Sequence, residues 1–520
     1  MLDEEQSSTL NRFLFQAKER IIMDFSSRFS RRTFVKTAVT TAEVATLGGV
    51  LAACGAASGA GGSSASTVTL TYWDWYVSQA PWVDNEIKLF QQAHPDIKIK
   101  KTTQGTENYD NLYALAFKSH NAPDVAMIPQ KPKTNIQVSQ GWFLPVDKWA
   151  NDAWKARFPA GVLHEGTNTF NGKLYSAPLA GTSPWVQLYI NNKVFRDAGL
   201  VNGDGSVKLP KTWDDVTHFA ETITKKSGGQ VYGLAFGNSA FNLLQWWMQV
   251  FILGAGSPGG AYDLDRRVGK YTYGTDRNYT DFLTLFKEWK TRGYFYPNSM
   301  SISDEVARAY FERGKFGMTV GGVWNQAEWT QHNFTDYSLT TLISPTETPK
   351  GYFPVTPGSN GNGVFVGISA QTKHPDAAWA WFDWLYSVEA GKRWVQMGED
   401  ISIFPQNNDP AQVKFKPFAQ FVGLSKLTMN EPDPNVRNPQ TANVELQAVK
   451  PDMGDIMAGF YTGQIANIQS ALSDLAARMQ KAQDDAIKQA QQKGYKVSAA
   501  DYTFPDWDLT KPYVTKPAQS

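Results

Sequence analysis

Between Val68 and Ile128 the chain alternates strand-like and helix-like segments, and this alternation limits the fold more than any other feature. Val68-Thr-Leu-Thr-Tyr-Trp73 has the β-branched and aromatic character of a strand. A polar and aromatic loop, Asp74-Trp75-Tyr76, leads into a helical pattern through Glu86, Leu89 and Phe90 that His94-Pro95 stops. Ile97-Lys-Ile99-Lys100 alternates as the next strand, Tyr109 to Phe117 repeats helical spacing, and Asn121 to Ile128 leads into a third strand. Strands that alternate with helices indicate parallel α/β layers. Ligands on such sheets lie beyond the carboxyl ends of the strands. Topology alone therefore assigns loops 74–79 and 129–133 as binding loops.

The pattern continues. Leu174 to Pro178 and Val186 to Asn191 read as short strands around Gly181-Thr-Ser-Pro184-Trp185. Thr212 and Asp215 have the form of a capping box, and helical spacing follows over 214–225, 240–252, 279–291 and 303–313. Phe316 to Val320 is a strand ending in Gly321-Gly322, a pair that permits close backbone approach, with Trp324 and Asn325 directly after. Pro354 to Gly363 is a loop, Val364 to Ser369 a strand, and Pro375 to Met397 an aromatic helix whose rings are mostly core. Ile468, Leu472, Leu475 and Met479 form an apolar stripe of helical period that packs on the body. A chain of 520 residues exceeds one ordinary core and calls for two lobes with extensions.

Charge and cysteine content exclude several function classes. Lysine plus arginine (50) nearly cancels aspartate plus glutamate (49), which leaves no long-range field to hold nucleic acid. Cys54 is the one cysteine, so neither an internal disulfide nor a paired-thiolate metal site can form. The six histidines show no metal spacing, and Asn202-Gly-Asp-Gly-Ser206 lacks the downstream glutamate of a calcium loop and reads as a surface turn. No metal or cofactor is expected.

The first 66 residues read as an address. Ser30-Arg-Arg-Thr-Phe-Val-Lys36 resembles the twin-arginine export signal, and the mildly apolar run Thr37 to Ala53 is too short and polar for a membrane span. Leu51-Ala-Ala-Cys54-Gly55 resembles a bacterial lipobox, which implies a lipidated Cys54 and an extracytoplasmic protein anchored to the cell membrane. Residues 1–53 are then the signal, with 1–22 a mis-assigned start and Met23 the better initiator. Residues 54–66 are a Gly/Ser tether with little to bury, a flexible coil above the membrane.

The body resembles the solute-binding proteins of ABC importers, carbohydrate type. The resemblance rests on an ordered set over about residues 67–400: Val68-Thr-Leu-Thr-Tyr-Trp, Asn121-Ala-Pro-Asp-Val, Gly172-Lys-Leu-Tyr-Ser-Ala-Pro, Leu188-Tyr-Ile-Asn-Asn, Pro210-Lys-Thr-Trp-Asp-Asp, Phe311-Glu-Arg-Gly-Lys-Phe-Gly-Met-Thr, Gly321-Gly-Val-Trp and Lys373-His-Pro-Asp-Ala-Ala-Trp. Residues 405–520 match less clearly. The resemblance implies a two-lobed, periplasmic-binding-protein-like fold of type II with a hinge and an interlobe cleft. Carried over, lobe 1 is 67–179 plus 319–365 and lobe 2 is 180–318 plus 366–520, with crossings near Ala180-Gly181, Val320-Gly321 and Val366-Gly367. It further implies a monomer that hands a sugar or oligosaccharide to an ABC permease with a separate ATPase. The chain itself carries neither spans nor a phosphate-binding loop.

A sugar offers apolar C–H faces and a rim of hydroxyls, so its site needs flat aromatic faces beside amides or carboxylates. Residues of those types at strand ends are Trp73, Asp74, Trp75 and Tyr76 after the first strand and Gln130 after the third. Thr182 and Trp185 come from the hinge region, Gly322, Trp324 and Asn325 from the glycine-pair loop, and Trp246, Trp247 and Asn362 complete the set. Two alternatives stay open: a ligand-sensing lipoprotein of the same fold, and a secreted glycan-active enzyme, although no Gly-x-Ser-x-Gly elbow occurs.

Overall fold

Strand β1 (Val68–Asp74), helix α1 (Ala80–Ala93), strand β2 (Ile97–Thr103), helix α2 (Thr106–Lys118) and strand β3 (Val125–Met127) follow one another as the alternation predicts. The computed structural model describes residues 67–75, 79–355 and 365–516. The expected signal and linker segments with Cys54, and also Tyr76 and Asn362, lie outside these residues. β1 is central. It runs parallel to β2, with Val68 opposite Ile97, and parallel to β3, with Tyr72 opposite Val125.

A second sheet follows, built from β4 (Gln187–Asn191), β5 (Tyr232–Leu234), β6 (Phe316–Gly321) and β7 (Tyr337–Thr340) in the order β5-β6-β4-β7. Helices α3 (Trp213–Lys226), α4 (Phe241–Ile252), α5 (Arg277–Thr291) and α6 (Asp304–Glu312) connect its strands, and α7 (Trp324–Gln331) links β6 to β7. The Thr212 capping box that starts α3 is present: Asp215 N–H donates to Thr212 Oγ1 at 3.0 Å and Thr212 N–H to Asp215 Oδ2 at 2.9 Å. The Asn202–Ser206 stretch is a turn, closed by an Asn202 Nδ2 bond to Ser206 Oγ at 2.9 Å.

After β8 (Phe353–Val355) the chain returns to the first sheet. β9 (Val366–Ile368) lies antiparallel to β3, with Val366 opposite Met127. Helices α8 (Pro375–Leu385) and α9 (Val388–Gln396) stay there, against β1 and α1: Trp381 meets Tyr72 at 5.7 Å and Phe90 at 5.1 Å, and Trp394 meets Trp82 at 4.6 Å. Glu86 of α1 is wholly buried, which is tolerable because both its oxygens lie 2.6 Å from the Arg393 guanidinium. Helix α10 (Lys416–Leu424) leads to β10 (Thr428–Asn430), which pairs with β8, and α11 (Met453–Thr462) and α12 (Ile468–Gln492) pack on the second core. Ile468, Leu472 and Leu475 face that core, as their spacing predicts.

Strand pairing corrects the expected partition. Residues 319–365 were expected in the first lobe and 366–520 in the second. Instead β6 and β7 pair with β4, β9 pairs with β3, and α8 and α9 cover the first sheet. Val320-Gly321 is accordingly no crossing, and Val366-Gly367 lies within the returning strand rather than at an exit from the first sheet. The crossing near Ala180-Gly181 has a partner the sequence reading did not supply: Ala180 bridges to Ser402, and Gly181 N–H donates to Ile401 O at 2.8 Å. Residue pattern identifies a strand, whereas its sheet depends on distant partners, and this explains the error.

Candidate functional site

The carboxyl end of β6 gathers most of the second-lobe candidates. β4 runs antiparallel to β6, with Gln187 opposite Gly321, so Trp185 lies at that end; β5 is parallel to β6, so the chain entering α4 leaves from there too. The Tyr189 hydroxyl fixes the turn, lying 2.8 Å from Gly322 O and 2.9 Å from Gln187 Oε1. Burial drives the Tyr189 pKa well up, which keeps it a neutral donor.

The two glycines serve two different neighbours. A Cβ at Gly322 would come within 2.0 Å of the Trp324 ring, and one at Gly321 within 2.1 Å of the Asn325 amide nitrogen. The pair thus admits the indole and the amide against bare backbone. Trp324 is half-buried, packs against the two apolar clusters that both include second-sheet residues, and stands 6.4 Å from the fully buried Trp247. Its Nε1–H donates to Asp304 Oδ2 at 3.1 Å. Burial raises the Asp304 pKa, and Arg308 acts in the opposite direction. Asn325 is fully buried, and neither end of its amide finds a partner among the described residues; the same holds for Trp247 Nε1. Trp246 is half-buried on α4, and Trp185 is nearly buried with its ring edge-on to Phe353 at 4.7 Å.

The first-lobe candidates are placed differently. Asp74 is fully buried, and its charge adds to burial in raising the pKa values of Tyr72 and Tyr109. The Tyr109 hydroxyl ties the ends of β1 and β3, 2.7 Å from Met127 O and 3.3 Å from Trp73 O. Trp73 meets Tyr113 edge-on at 6.5 Å and Trp75 meets Tyr109 at 4.8 Å, so both indoles pack on α2. Gln130 is exposed, and its backbone N–H donates to Asp110 Oδ1 at 2.8 Å.

Thr182 is half-buried at the crossing, beside residues the sequence reading missed. Ser183 Oγ donates to Asp400 Oδ1 at 3.3 Å. Glu399 is buried, its Oε2 finds no partner among the described residues, and its pKa lies well above the usual carboxylate range, through burial first and Asp400 second. In sequence, Glu399-Asp400 reads as a solvated turn after a helix; only the crossing buries it. Asp304 was likewise unsignalled, one more acidic residue in a helical first turn. Among the described residues no cluster of three or more His, Cys, Asp or Glu could hold a metal ion.

Two α/β sheets joined by crossing segments, with aromatic and amide groups at their strand ends, define a two-lobed binding-protein fold of type II. The sequence matches the family described as bacterial extracellular solute-binding protein over residues 75–392, and the chain belongs to that family. Membership places the protein outside the cytoplasm and makes it a binding protein rather than a secreted hydrolase. It is 27% identical over 163 residues to an uncharacterized ABC transporter extracellular-binding protein of Pyrococcus horikoshii, a stretch covering 28% of this chain and 34% of that relative. The chain therefore spans about a third of the curated relative's length.

Solved structures of similar fold include the GacH receptor of Streptomyces glaucescens, studied unliganded and with acarbose (TM-score 0.59, 15% identity, 81% of this chain and 99% of that one). The maltose/maltodextrin-binding domain of Bdellovibrio bacteriovorus bound to maltotriose is similar (TM-score 0.58, 16%, 80% and 99%). So is an ABC substrate-binding protein of Listeria monocytogenes in complex with cycloalternan (TM-score 0.56, 16%, 83% and 100%).

Proposed function

We propose that the protein captures a neutral sugar or oligosaccharide in the interlobe cleft and delivers it to an ABC permease driven by a separate ATPase. The observation that carries this is Trp324, a half-buried indole at the carboxyl end of β6 that lies against bare glycine backbone, beside a buried amide with unmet hydrogen-bonding capacity among the described residues. A ring face suits the C–H side of a pyranose, and polar groups beside it suit the hydroxyl rim. The saccharides named for proteins of similar fold support the same class. In this reading the exposed parts of Trp324, Trp246, Thr182 and Gln130 meet the solute. The Asn325 amide faces the hydroxyl rim, Gly322 and Trp247 hold Trp324 in place, and the lobes close about the crossing at Ala180-Gly181. Trp73, Asp74 and Trp75 shape the first-lobe wall.

A thermal-shift panel of mono- and oligosaccharides tests the reading. A ligand at a hundredfold excess over its Kd adds about 2.7 kcal/mol of stability, a shift of several degrees. A panel in which no saccharide moves the transition would reject a sugar as the solute. We also infer that Cys54 carries the lipid anchor, supported by the lipobox-like sequence before it. Cys54→Ser should move the protein from the membrane fraction to the soluble extracytoplasmic fraction; retention on the membrane would refute the anchor.

A further inference from the structure

The segment between β10 and α11 is fastened to the second lobe. Glu431 pairs with Arg266 at 2.9 Å. Arg437 lies 3.3 Å over the Phe504 ring and donates to the carbonyls of Ala500 and Thr503 at 2.9 and 2.6 Å. Val444 is buried in an apolar cluster with Ala486, Ile487 and Ala490 of α12 and with Val497. The other side of this segment touches the first lobe just past the carboxyl end of β3. Lys133 Nζ donates to Val444 O at 2.6 Å, Asn135 Nδ2 donates to Asn443 Oδ1 at 3.0 Å, and His164 Nε2 lies 3.4 Å from Asp433 Oδ2.

The two sides of the segment differ in kind. An ion pair, a stacked guanidinium and an apolar cluster hold it to the second lobe, whereas three polar contacts and the close approach of Gly166 to Asn435 and Ala442 join it to the first. Polar contacts exchange with water at small net cost, while apolar burial does not. We propose that residues 433–445 form a strap that latches the second lobe to the lip of the first and lets go when the lobes part. The strap then helps to set how far the empty protein opens, and with it the apparent affinity for solute, since affinity scales with the fraction in the competent state. The latch rests on the two-lobed binding reading for its purpose, but its test contains no solute. Failure of the latch is therefore distinguishable from failure of the sugar assignment.

Hydrogen–deuterium exchange on the solute-free full chain, with small-angle scattering, tests it. In the wild type, amides of 131–137 and 433–445 should exchange faster than those of 484–492 in α12, because the latch opens without global unfolding. Asn135→Ala and Asn443→Ala should each speed exchange in both segments roughly tenfold and enlarge the radius of gyration. Because both remove the same bond, the double variant should add little to either single one. Lys133→Met, which keeps the apolar stem and deletes the donor, should act likewise and serves if the asparagine variants fail to fold. Equal protection of all three segments in the wild type would overturn the latch. So would variants that fold yet leave exchange and radius unchanged.

Discussion

The carboxyl ends of β1 and β6 are both rich in tryptophan, yet they use it in opposite ways. Tyr72 and Trp73 point to opposite faces of the first sheet, one to Trp381 on α8 and the other to Tyr113 on α2. Helices cover both faces of such a sheet, so each ring along the strand has a core seat waiting. Trp75 meets Tyr109, and both it and Trp73 are half-buried against α2. Trp324 follows a glycine pair and begins a helix, where its ring lies on bare backbone and packs on two apolar clusters without being enclosed by either. A strand-end indole is available to a solute when the local backbone denies it a place in the core.

The largest effect that would break this contrast is on stability. Trp73→Ala, at a half-buried ring packed on Tyr113, should cost about 2.5 kcal/mol, just under the scale for a fully buried aromatic, read as a lower urea midpoint, with saccharide affinity nearly unchanged. If affinity collapses while the midpoint holds, the first-lobe indole is a ligand contact after all. Trp324→Ala should do the reverse. It should weaken saccharide binding about thirtyfold, some 2 kcal/mol, with the melting temperature of the empty protein close to wild type, as calorimetric titration and thermal scans would show. A large loss of unliganded stability would make the ring structural.

The smallest effect concerns the crossing between the two regions. The Glu399 pKa is raised in the folded protein, by burial and then by Asp400, while in the unfolded chain the carboxyl ionises near its ordinary value. Its contribution favours folding fully below the unfolded pKa and is lost as pH rises toward the folded one. Glu399→Gln should therefore have a higher urea midpoint than wild type at pH 8, and the difference should vanish below about pH 4. A difference independent of pH would mean that Glu399 is not held protonated.

Local pattern carried the sequence reading a long way. The Thr212 capping box, the β1–α1–β2–α2–β3 order and the stripe Ile468, Leu472 and Leu475 each depend on neighbours within a few turns. The sheet that takes Phe316–Gly321 depends on Gln187–Asn191 and Tyr232–Leu234, far away in sequence, and no local feature encodes it. The site divided in the same way. Glycines before Trp324 were visible as a pair, but their fit to the indole and the Asn325 amide is a matter of packing. Burial of Glu399 and Asp400 required the strand crossing, and the Trp-rich stretch Pro375–Leu385 gave no hint that it would cover β1 rather than the second sheet.

The antiparallel return of β9 bears on how the chain is made. Val366 pairs with Met127 only after the whole second sheet has been synthesised, a wait of tens of seconds at ordinary translation rates. Through that interval the outer rim of β3 is bare of a neighbour, an adhesive ledge for any other extended polypeptide. The first half of the molecule cannot finish before the second is out of the ribosome.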